Sequence, residues 1–115
     1  MSHSLYEMAR IGNTSDNIEI HIYGREGSVP HFHFYDKKTG RMGCIRLDTA
    51  EYFQHGRGKY ADKLNSKEIK NLIDFLKEQH KRLPISNWEY LIILWNDNNP
   101  NFEIDELPMP DYTKL

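Results

Sequence analysis

The sequence predicts an α+β fold: an antiparallel sheet of three to five strands with two C-terminal helices packed on one face. Three observations predict it. Runs between residues 17 and 47 alternate apolar and polar residues with the period of a strand. Two later runs repeat apolar residues at helical spacing behind capping boxes. The strand-like half precedes the helical half instead of interleaving with it.

The first clear strand is Asn17 to Tyr23, NIEIHIY, with Ile18, Ile20 and Ile22 on one face and Glu19, His21 and Tyr23 on the other. Turn residues Gly24 to Ser28 follow, and then His31 to Tyr35, where Phe32 and Phe34 alternate with His31, His33 and Tyr35. The phenylalanines are expected to face the core and the histidines the solvent. A third run, Met42 to Leu47, directs Ile45 and Leu47 inward and Cys44 and Arg46 outward, which completes an antiparallel meander. Leu5 to Ile11 can add a strand paired with Asn17 to Tyr23. Ala50 to His55 can add another, although Asp48 with Glu51 also reads as a capping box.

The run from Asn65 predicts a helix with Asn65 as N-cap, Glu68 at the capping-box position, and Ile69, Leu72, Ile73 and Leu76 on one face; Pro84 is its expected stop. A second box, Ser86 with Glu89, opens a helix on which Trp88, Leu91, Ile92 and Trp95 form a stripe. Ile93 and Leu94 widen that stripe, which predicts a buried helix. Phe75, Trp88 and Trp95 are read as packing residues. Residues 1–115 are therefore expected to form a single domain, with 1–55 mainly strands, 65–97 two helices and 98–115 an extended acidic tail.

Composition agrees with a folded domain: 38% hydrophobic and 28% charged residues exclude disorder throughout, and a net charge of −2 excludes a uniformly basic nucleic-acid binder. Charge is nonetheless uneven. Lys37 to Arg82 holds twelve Lys/Arg against six Asp/Glu, a net of +6, whereas Asn96 to Leu115 holds one Lys against five acids, a net of −4. The single cysteine excludes an intramolecular disulfide. With no apolar leader in the first residues and no apolar run of about 20 residues, the expected setting is cytoplasmic, without membrane contact.

The exposed sheet face is where function is sought. His31 and His33, two residues apart on a strand, project on the same side about 7 Å apart at Cα. They can serve as base and acid of metal-independent RNA cleavage with Arg46 as the cation opposite the phosphate, so His31, His33 and Arg46 are the catalytic candidates. Glu19, His21, Tyr23 and Tyr35 on the same face, with Arg57 and Lys59 of the glycine-rich loop HGRGKY, are the binding candidates. That loop lacks P-loop spacing. A metal reading through His31 and His33 needs a third ligand, from His21, Cys44 or Asp48. The pair alone lacks a second spaced motif, so no metal or cofactor is assigned. Cys44, on a strand, is read as a small filler and not as a nucleophile.

The ordering of PHFHFY, IRLD, two helices and the Trp95–Asn96 pair resembles a short prokaryotic domain family of unknown function. Pro30, His31 and His33 match its proline–histidine–x–histidine strand, and Trp95 with Asn96 match its end, over Ile18 to Asn96. The resemblance implies one half of a toxin–antitoxin-type or mobile-element pair. On that basis the leading expectation is an interaction module that binds a partner protein through its sheet face or acidic tail. The alternatives are the ribonuclease-like toxin, with RNA as ligand, and the metal-binding protein. The chain departs from the family in its single proline before the histidines and its longer acidic tail.

Overall fold

The computed structural model describes residues 8–54, 58 and 60–115. Among the described residues four strands form an antiparallel meander in the order β1 (Met8–Asn13), β2 (Ile18–Tyr23), β3 (His31–Asp36) and β4 (Arg41–Arg46). Two helices follow, α1 (Ser66–Lys77) and α2 (Asn87–Asn98), so the α+β class is the one expected. Of the anticipated strand Leu5 to Ile11, residues 5–7 lie outside the described residues; the rest pairs with β2 as anticipated but runs to Asn13, with an irregularity in register between Arg10 and Gly12. Of the anticipated strand Ala50 to His55, the described part contributes one isolated bridge, Ile45 with Tyr52.

Alternation sorts the sheet into two faces. Ile20 lies opposite Phe34, and Phe32 opposite Ile45. These residues with Ile18, Ile22 and Leu47 are buried in one apolar core together with Leu72, Leu76, Trp88, Leu91 and Trp95 of the helices. α2 lies against β1 and β2, and α1 against α2. Gly12 leaves room for α1: a Cβ there would come within 3.1 Å of the Phe75 ring.

Both capping boxes form. Asn65 accepts from the Glu68 amide while the Glu68 carboxylate accepts from the Asn65 amide, and Ser86 and Glu89 do the same for α2. Glu68 also receives the Arg41 guanidinium, which reaches Asp36 as well, tying β4 to α1. Pro84 is not what stops α1. The helix closes at Lys77, where Asn87 Nδ2 donates to the Phe75 carbonyl and the Asn87 amide to the Glu78 carbonyl, so the start of α2 satisfies its C-terminal end. α2 is less enclosed than its composition suggests, because Ile93 is 44% exposed.

The acidic tail has no long element, only 3-10 turns at Pro100–Phe102 and Tyr112–Lys114. It is nonetheless anchored: Trp95 Nε1 donates to the Phe102 carbonyl, Trp88 Nε1 to the Leu107 carbonyl, and Tyr112 is 1% exposed against the core. Among the described residues no helix is long and apolar enough to cross a membrane.

Candidate metal centre

The second sheet face carries the histidines, and it is not open. His31 and His33 are 1% and 2% exposed, where the alternation alone placed them in solvent. The cause is the chain after β4. The Phe53 amide donates to the Cys44 carbonyl, the Arg46 amide to the Glu51 carbonyl, and the Asp62 amide to the Met42 carbonyl, which holds the segment along the edge of β4. From it Phe53 reaches the His31 ring, at 4.9 Å between centroids, and Tyr60 reaches the His33 ring at 4.7 Å. His31 also meets Trp95 of α2 at 5.6 Å, so this histidine does not simply point away from the helices.

Register aligns the chemistry. His21, His33 and Cys44 occupy one row across β2, β3 and β4, and His31 lies opposite Arg46. Within this face, one donor atom from each of His31, His33 and Cys44 falls within 4.8 Å of the others, and all three residues are buried. Cys44 Sγ is 3.3 Å from His33 Nδ1. Glu26, from the loop between β2 and β3, accepts from His33 Nε2 and lies 3.4 Å from His31 Nε2.

Hydrogen bonding fixes the protons. A carbonyl only accepts, so the 2.7 Å contact between His31 Nδ1 and the Val29 carbonyl places a proton on Nδ1. The carboxylate of Glu26 likewise draws the His33 proton to Nε2 and leaves Nδ1 as the lone-pair nitrogen beside Cys44. Each imidazole donates one N–H to an oxygen, the orientation common in metal-binding histidines, and a bound cation would replace any proton on the other nitrogen.

Electrostatics are those of a buried pocket in which one carboxylate faces two imidazoles. Burial alone would raise the Glu26 pKa. Hydrogen bonds from His31 and His33 and the charge of those rings outweigh it and bring the carboxyl down to about 2. Burial pushes the Cys44 thiol well up, and the Glu26 carboxylate adds to that. A thiol held this way is protonated at neutral pH and is a poor nucleophile, which disfavours cysteine catalysis despite the Cys44–His33–Glu26 chain. A divalent cation reverses the balance by displacing the proton, since the thiolate is the ligand.

The other candidate residues divide clearly. Arg46 grips Asp48 through two contacts of 2.9 and 2.8 Å, which commits both residues to each other and takes Asp48 out of the set of third ligands. His21 turns to Glu19 at 2.8 Å and does not join the His31–His33–Cys44 group. Glu19, His21, Tyr23 and Tyr35 line an adjoining groove that His33 also reaches. Arg57 and Lys59 lie outside the described residues. Glu26 was read as turn material in GREGS; an acid in a short loop directly before a histidine pair was the available signal.

Comparison of the chain with protein-family models, curated proteins and solved structures returns no significant match.

Proposed function

We propose that this chain is a small metal-binding protein that holds one ion of the zinc type through His31, His33 and Cys44, with Glu26 beside it holding the His33 ring. The observation that carries the reading is the convergence of two imidazole nitrogens and a thiol within 4.8 Å. Two nitrogens and one sulfur suit zinc, whose sites combine imidazole, thiolate and carboxylate ligands. Charge supports the same assignment: a thiolate and the Glu26 carboxylate together balance a divalent cation, so the buried site would be neutral overall. The ion would join β3 to β4, and Glu26 would couple the β2–β3 loop to it through His33, giving the ion a structural role.

The ribonuclease reading has less behind it, because Arg46 is held by Asp48 and both histidines are shielded from a phosphate backbone. The test is elemental analysis of the purified, dialysed chain. One equivalent of zinc in the wild type, lost in His33→Ala, is expected. A wild type that retains no metal after incubation with excess zinc would overturn the proposal.

A further inference from the structure

The groove beside the metal cluster has a volume of about 460 Å³, within the range of small-molecule sites. Its composition identifies a class of occupant. The His33 ring is flanked edge-on by Tyr23 at 4.5 Å and Tyr60 at 4.7 Å, and Tyr35 adds a third phenol to the lining. Phenol rings supply flat apolar area and hydroxyl donors together. The charged residues of the lining are Arg10, Lys37 and Glu19. Glu19 is already engaged by His21 at 2.8 Å and by Arg10 at 3.8 Å, which leaves the Lys37 ammonium as the surplus charge of the groove.

We infer that the groove binds a small planar molecule bearing one oxyanion, a carboxylate or a phosphate, with its ring among the tyrosines and its oxyanion at Lys37. This goes beyond the metal reading, because the groove shares only His33 with that cluster and needs no ion in order to bind.

Calorimetric titration of the full-length chain tests it with four probes: benzoate, phenyl phosphate, neutral benzamide and inorganic phosphate. Benzoate or phenyl phosphate should bind about tenfold or more tightly than benzamide and inorganic phosphate, since the charge-assisted contact and the ring contact act together. The tighter of the two names the oxyanion. Lys37→Gln should remove about tenfold of that affinity while leaving benzamide unchanged. The same four titrations repeated with a metal chelator present should keep their order, which separates this inference from the fate of the metal proposal. Binding of benzamide as tight as that of benzoate, binding of inorganic phosphate as tight as that of phenyl phosphate, or no binding of any probe would overturn it. So would a short RNA oligonucleotide that binds more tightly than phenyl phosphate, which would assign the groove to nucleic acid.

Discussion

The Cys44 thiol lies 3.3 Å from His33 Nδ1, across a register in which the two residues face each other on β4 and β3. The strand pairing itself fixes this juxtaposition. It puts a soft ligand beside an imidazole nitrogen in a buried pocket, an arrangement in which a bound cation replaces a proton at little cost in rearrangement.

The metal should therefore stabilise the fold. An ion that binds the native chain and not the unfolded one adds RT ln(1 + [L]/Kd), about 2.7 kcal/mol at a free concentration one hundred times Kd. Thermal unfolding with and without added zinc should show a higher Tm with the ion in the wild type and no change in His33→Ala. Equal Tm values with and without zinc in the wild type would contradict this.

Trp95→Ala should cost about 3–5 kcal/mol, because Trp95 is fully buried on α2 and its indole donates to the Phe102 carbonyl. Denaturant unfolding checks the figure. A loss below about 1 kcal/mol would mean that the helix does not rely on this anchor.

Gly43→Ala should destabilise by about 1–3 kcal/mol, the usual penalty for overpacking. The new methyl would lie 2.6 Å from the Phe34 ring and against the Asp62 carbonyl oxygen, the latter backbone that cannot swing aside. Because residues 61 and 62 bridge to this part of β4, the variant should also loosen the segment that covers His33, visible as faster amide exchange at Asp62. A variant as stable as the wild type would contradict the close approach seen here.

Acid sensitivity should follow the Arg41 clamp. Arg41 holds the Asp36 carboxyl below its ordinary value of 3.8, chiefly through a direct hydrogen bond. A carboxylate whose pKa is lowered by folding contributes stability above its unfolded pKa and loses it as pH falls through its folded pKa. Arg41→Gln should thus cost about 1–3 kcal/mol at neutral pH, partly by removing the ion pair with Glu68, and the gap should narrow as pH falls below 3.8 and Asp36 protonates. Denaturant melts across pH 2 to 7 give the comparison; a gap independent of pH would contradict the clamp.

Much of the architecture was legible because it is local. The alternation of Ile18, Ile20 and Ile22 and of Phe32 and Phe34 fixed which face would be apolar, and the Asn65–Glu68 and Ser86–Glu89 boxes marked where each helix starts. The site was legible only in part. Period-two patterning places His31 and His33 opposite the phenylalanines but does not say what covers them. Their burial depends on residues 51–53 and 60–62 lying against β4, a non-local pairing whose sequence reads as an ordinary loop. Cys44 looked like filler until the register of β4 set it opposite His33. The apolar residues of the tail show no period that announces a docking segment, yet Tyr112 is buried in the core and Leu107, Met109 and Leu115 pack against that core.

The central claim is that His31, His33 and Cys44 form one metal centre, and the absorption spectrum of the cobalt(II)-substituted chain tests it most directly. The expected result is a saturable one-to-one titration with the intense visible bands of tetrahedral coordination and a near-ultraviolet thiolate-to-cobalt band. Cys44→Ser should lose the thiolate band, and His31→Ala or His33→Ala should lose the tetrahedral pattern. A wild-type spectrum indistinguishable from cobalt in buffer, or one unchanged in Cys44→Ser, would contradict it.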